Sequence, residues 1–160
     1  LVRVDGLKGY HDRGRHPEGR VLPGLMLYRF DAPLFFANAR FFTEDVQRVI
    51  DARPDPTHCL IITAEPITDV DTTAADALHE LIDHLAGRGI DVRFAELKGT
   101  VRDRLEGYGV LPHLNGGHNG GPGARTVGEA VKQYVAEHPV EWVDWEDRGP
   151  GDMGQPVDAG

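Results

Sequence analysis

Three short apolar runs alternate with amphipathic stretches, and that alternation limits what the chain can become. The runs lie at 24–30, 58–64 and 90–96. Each is bounded by turn residues and rich in β-branched or aromatic side chains, so each reads as a largely buried strand. Between and after them, apolar residues recur at helical spacing. Phe42, Val46, Val49 and Ile50 share one face of a first helix. Asn38 is its candidate N-cap, and Pro54 and Pro56 end it. Ala75, Leu78, Leu81, Ile82 and Leu85 stripe a second helix over 72–86, stopped at Gly87-Arg88-Gly89. A third opens at Lys98-Gly99 and turns Val101, Leu105 and Tyr108 inward. Thr126, with Glu129 three residues on, makes a capping box for a fourth, striped by Val127, Val131, Tyr134 and Val135. Short links and strict alternation predict one α/β domain, with a mostly parallel central sheet and about four helices.

The flanks are less regular. Residues 1–4 can form a short edge strand, followed by a polar loop with several glycines. Residues 109–111 read as a short strand or an extended link, and 115–123 as a glycine-rich loop. Beyond Pro139 the chain is acidic and rich in Gly and Pro. Residues 140–145 can pack on the body or serve as a docking strip through Trp142 and Trp145, while 148–160 have the composition of a disordered tail.

Formal charge is −9, which argues against a nucleic-acid partner, since that needs a basic face. The asymmetry matters: from residue 137 onward seven acidic residues face one Arg. No apolar stretch approaches the ~18 residues of a membrane span, and no signal peptide is visible. The chain opens on Leu1, which reads as a piece of a longer protein. Its single cysteine, Cys59, excludes an internal disulfide and reads as a buried thiol in the middle strand.

In a parallel sheet, the loops leaving the strand C-termini gather on one edge, and ligands bind there. Three loops qualify, at 31–38, 65–73 and 96–99, each leading into a helix N-terminus that favours negative charge. The middle loop contains Asp71-Thr72-Thr73. Plain helix capping accounts for that trio; a phosphorylatable hydroxyl is the functional alternative, although Asp71 would repel a phosphate beside it. Phe35 and Phe36 can stack on a base or simply pack, and Lys98 can meet a phosphate or stay solvated.

Two segments carry a resemblance. The run Pro23-Gly24-Leu25-Met26-Leu27-Tyr28-Arg29-Phe30-Asp31-Ala32-Pro33-Leu34-Phe35-Phe36-Ala37-Asn38-Ala39 resembles the opening of the STAS domain in SulP-type anion transporters. Ile67-Thr68-Asp69-Val70-Asp71-Thr72-Thr73-Ala74-Ala75 resembles that family's second signature, and Arg88-Gly89-Ile90 and Leu97-Lys98-Gly99-Thr100 continue the match in order. The resemblance implies a linker at 1–19 from an upstream transmembrane domain of the same polypeptide, a STAS domain at 20–137, and an acidic tail at 138–160. It implies a cytoplasmic regulatory domain of an inner- or plasma-membrane sulfate or anion transporter, not an enzyme, acting through protein contacts. A regulatory protein and a weakly bound guanine or adenine nucleotide are the further partners it suggests. In stand-alone relatives, the anti-sigma-factor antagonists, a hydroxyl residue just after the loop aspartate is phosphorylated; by position that is Thr72. The antagonists carry Ser and then a nearby Gly, where this chain has Thr72, Thr73 and Ala74, which favours the transporter branch.

Other chemistries find little footing. No phosphate-binding glycine motif follows a strand. Serine is absent, so no Ser-His-Asp triad can form. His79 and His84 do not share a helix face, and His113 and His118 lack carboxylates nearby, so no metal and no cofactor is called for. The expected surface is therefore Phe35, Phe36, Asn38, Lys98 and Gly99, with Asp71, Thr72 and Thr73 as the switch loop. Two other functions stay open: a purine-nucleotide-sensing switch, and a free-standing antagonist of the sigma-factor pathway.

Overall fold

The computed structural model describes residues 1–111 and 123–147. Leu25–Arg29 (β3), Cys59–Thr63 (β4) and Asp91–Ala95 (β5) form a parallel sheet in the order β3-β4-β5. Leu25 stands beside Cys59, and Cys59 beside Asp91. All five residues of β4 are buried, which is why this run is apolar without alternation: a parallel strand with helices on both faces has no wet side.

Side-chain alternation divides the core. Leu60 and Ile62 point to one face, where Ala39–Asp51 (α1), Thr72–Gly87 (α2) and Gly99–Gly107 (α3) pack. Cys59 and Ile61 point to the other, against Val127–Glu137 (α4). The Cys59 thiol is fully enclosed, and burial pushes its pKa up to about 12. The Thr126 capping box forms as expected: its hydroxyl accepts from Glu129 N, and the Glu129 carboxylate accepts from Arg125 N.

Some expectations are corrected. Asn38 sits at the N-cap position of α1, but its side chain does not cap the helix. Tyr108 does not turn inward. Helix α3 ends at Gly107, the chain reverses at Gly109 with φ 75°, and Val110 takes the buried place while Tyr108 is 38% exposed. Residues 109–111 form no strand; the Val110 amide instead returns to the Leu105 carbonyl. The glycine-rich stretch up to residue 122 and the tail from 148 lie outside the described residues.

The two ends of the described chain meet. Val2–Arg3 (β1) pairs antiparallel with Tyr10–His11 (β2). Arg3 is 2% exposed, and its guanidinium donates to Asp144 at 2.7 Å and pairs with Glu146 at 2.9 Å. It lies 5.4 Å from the Trp145 ring centre, while Arg20 lies 4.4 Å over Trp142. Residues 140–147 are thus held on the body by two arginines, one reaching from β1 and one from the loop that follows β2.

Gly24, at φ +73°, starts β3 under Tyr134 and His58; a Cβ there would meet Tyr134 Oη at 2.4 Å and His58 Nδ1 at 2.8 Å. Replacing Gly24 with Ala adds backbone strain to overpacking and should cost about 2–4 kcal/mol in urea unfolding. The Asp144 contacts set a pH dependence. Burial raises its pKa, yet the hydrogen bonds from Arg3 and the Glu146 amide, together with the charges of Arg3 and Arg20, outweigh burial and hold the carboxyl below its ordinary value. A depressed folded pKa gives stability that is present above the unfolded value, near 4, and lost as pH falls through the folded one. Acid titration below about pH 4 should therefore loosen 140–147, seen as a change in tryptophan emission that Asp144→Asn abolishes.

Candidate functional site

The three strands end on one edge, so the loops after β3, β4 and β5 emerge together, with β4 in the middle. The first two are sewn to each other. Leu34 N donates to the Asp69 carbonyl at 3.0 Å, and Asp71 N donates to the Leu34 carbonyl at 3.2 Å, a one-residue parallel bridge between Leu34 and Val70. Leu34, Ile67 and Val70 are each at most 2% exposed. They plug both loops into the core formed with α1 and α2, which fixes the polar residues between them.

Asp71 does two jobs with one carboxylate. Its Oδ1 accepts from Ala74 N at 2.8 Å and caps α2. Its Oδ2 accepts from Phe36 N at 2.8 Å across the gap to the neighbouring loop. The capping reading of Asp71 is therefore correct but covers only one of its two oxygens. Asn38 explains its missing cap in the same region. Its Oδ1 accepts from Phe35 N at 3.0 Å and its Nδ2 donates to the Pro33 carbonyl at 2.8 Å, so the amide closes its own loop.

The result is a fixed backbone that presents large apolar groups to solvent. Phe36 is 71% exposed and Phe35 40%, with ring centres 6.0 Å apart in an edge-to-face pair. Phe41, on the first turn of α1, is 62% exposed. Thr72 and Thr73 are exposed on the first turn of α2. Phe35, Phe36, Asn38, Asp71, Thr72 and Thr73 thus form one cluster.

Lys98 and Gly99 belong to the adjoining loop. Lys98 Nζ donates to the Glu65 carbonyl at 2.6 Å, and Gly99 begins α3. Arg104 of α3 pairs with Asp69 at 2.7 Å, tying this loop to the middle one. Arg29 completes the edge, donating to Asp31 at 2.6 Å and paired with Glu65 at 3.6 Å; the hydrogen bond it gives to Asp31 raises its pKa. Every cation named here is already engaged with a carboxylate or a carbonyl. Chemically the edge offers aromatic contact area, the N-terminus of α2 and two free-standing threonines, among carboxylates.

The sequence alone does not reveal the Leu34–Val70 bridge, the second role of Asp71 or the Arg104–Asp69 pair. Each depends on which loops become neighbours, and the only local trace is the apolar residues Leu34 and Val70 inside otherwise polar loops.

Comparison with known proteins fits this architecture. The family model described as STAS domain matches residues 16–130. A probable sulfate transporter of Mycobacterium tuberculosis is 37% identical over 115 residues, covering 72% of this chain and 20% of the relative. Sulfate transporter 1.3 of Arabidopsis thaliana is 31% identical over 113 residues, covering 66% and 17%. The chain spans about one fifth of the length of these relatives, which are named as transporters rather than enzymes. Among solved structures, the murine solute carrier 26 family member A9 anion transporter in its inward-facing state superposes with a TM-score of 0.73 at 19% identity, over 86% of this chain and 22% of that one. The STAS domain of a SulP transporter from Vibrio cholerae superposes at 0.59 and 22% identity, over 78% and 91%. No helix among the described residues is long and apolar enough to cross a membrane. By the family match over residues 16–130, the chain belongs to the STAS domain family, and the relatives named above are sulfate transporters.

Proposed function

We propose that this chain is the cytoplasmic regulatory domain of a sulfate or anion transporter, and that the edge around Phe36 and Asp71 is the surface through which it acts on other protein. Residues 1–19 connect to a transmembrane part upstream, 20–137 form the domain and 138–160 its acidic tail. The observation that carries this reading is the bond from Phe36 N to the Asp71 carboxylate, which holds a largely exposed phenylalanine in place on a rigid edge. An exposed aromatic group costs solubility, and its immobilisation lowers the entropy lost on docking. Thr72 lies beside it, so a phosphate added there would place negative charge inside the same contact area.

A purine nucleotide is the second reading for the same edge. The Phe35–Phe36 pair beside the N-terminus of α2 favours it, because a base can stack while the helix end receives phosphate. Against it stand Asp31, Glu65, Asp69 and Asp71, which would repel a triphosphate. Equilibrium dialysis against GTP and ATP separates the two readings: saturable uptake supports the switch, and no uptake at millimolar ligand removes it.

In the full-length transporter, Phe36→Ala should lower sulfate uptake while leaving the thermal unfolding of the domain unchanged; a truncated contact of this type typically costs about 1–2 kcal/mol. Unaltered uptake would sink the docking role. Asp71→Asn should keep the α2 cap, since one oxygen remains, and lose the acceptor for Phe36 N. Hydrogen exchange should then quicken at the Phe36 amide and not at Ala74. Asp71→Ala should quicken both and cost about 1 kcal/mol from the cap alone.

A further inference from the structure

Charge is spread unevenly along the chain. Residues 1–20 hold five Lys or Arg against three carboxylates, while the remainder holds twelve against twenty-three. Most of the cations are used inside the fold, as Arg20 is by Asp5 at 2.7 Å and Arg88 by Asp51 at 2.7 Å. Lys8, Arg13 and Arg15 are not. Among the described residues, none of these three side chains has a hydrogen bond or an ion pair, and all three are exposed. Leu7, beside Lys8 in the turn between β1 and β2, is 42% exposed.

The segment that carries them is folded. Val2 pairs with His11, the His11 and His16 ring centres are 5.3 Å apart, and the Arg15 and His16 amides both donate to the Asp12 carbonyl, at 3.2 and 3.0 Å. His11 Nε2 lies 2.9 Å from the Lys8 carbonyl oxygen, which ties the turn to the same piece. Burial, and then the nearby charge of Arg13, lower the pKa of Arg53, whose guanidinium donates to the Leu22 and Leu25 carbonyls and not to a carboxylate. The carboxylates of the segment are turned to its own groups: Asp5 accepts from Arg20, Asp12 accepts from the Gly14 amide, and Glu18 lies 3.1 Å from His16. A recess of about 640 Å³ lies on the α4 side, between α4, the β1–β2 hairpin and residues 140–147, and none of the three free cations lines it.

We propose that Leu7, Lys8, Arg13 and Arg15 form a contact face for an anionic lipid surface. Three free cations on an exposed face, outside the recess, suit a layer of phosphate headgroups better than one enclosed ligand. Leu7 can enter the interfacial layer beside Lys8, as apolar residues among basic ones do. Each Lys or Arg held at an anionic membrane strengthens binding about fivefold. The remainder of the chain, with its excess of carboxylates, is repelled by the same surface, so the domain meets it hairpin first. On the transporter reading, residues 1–19 follow a transmembrane part, which delivers this face to the headgroups. The inference rests on that reading.

The test sediments the 160-residue chain with vesicles of phosphatidylcholine, alone or mixed with an equal part of phosphatidylglycerol, at low salt. The chain should pellet saturably with the mixed vesicles only, and less as salt rises. Arg13→Glu combined with Arg15→Glu should weaken that binding more than about tenfold. Arg40→Glu combined with Arg125→Glu changes the net charge equally, at side chains 88% and 92% exposed, and should weaken it less than about threefold. Thermal unfolding checks that both variants are folded. No pelleting with the mixed vesicles, equal pelleting with both kinds, displacement by inorganic phosphate at constant ionic strength, or equal weakening in the two variants would overturn the proposal. A full-length sequence without membrane spans would remove the transporter reading and this one together; spans upstream without vesicle binding remove this one alone.

Discussion

Strand β4 is the constraint on which the rest depends. It pairs with β3 on one side and β5 on the other, and its side chains alternate between two cores that share no residue. Because it is covered on both faces and both edges, β4 leaves only its ends to meet solvent. The loop after its C-terminus has a neighbour on each side. Asp69 and Asp71 can therefore reach Arg104 and Phe36 on opposite flanks, which a loop leaving an edge strand could not do.

The order of strands and helices was legible because burial on two faces imposes a simple pattern. Each main strand appears as a continuous apolar run and each helix as a stripe, and α2 begins and ends within about one residue of expectation. Failures cluster where position depends on partners. Tyr108 follows the helical spacing of α3, but Gly109 ends the helix one residue too early for that spacing to matter. Asn38 has the chemistry of a cap, yet a nearby proline carbonyl and the Phe35 amide compete for its side chain. Arg3 falls in the short edge strand expected at 1–4, but nothing local announces that it meets carboxylates more than a hundred residues away.

The edge around Phe36 was legible as a place and less so as chemistry. Topology alone says that three loops converge. It does not say that their cations are consumed internally: Lys98 by a carbonyl, Arg104 by Asp69 and Arg29 by Asp31. What remains facing outward is aromatic area and hydroxyl groups, an arrangement better matched to protein contact than to a small anion. The recess on the α4 side differs in kind. It is assembled from α4 and the two ends of the described chain, which carry the weakest periodicity, so no sequence pattern announces it.

The contact between those ends makes the extent of the folding unit larger than the family match. Residues 16–130 omit both Arg3 and its carboxylates. Trimming only the C-terminal side would take both carboxylates and the Trp145 ring from the Arg3 guanidinium and leave it the carbonyls of Gly9 and Leu7. Trimming both sides would discard charge and countercharge together. The tolerance of this domain to shortening therefore depends on whether charge and countercharge leave together, and not only on the number of residues removed.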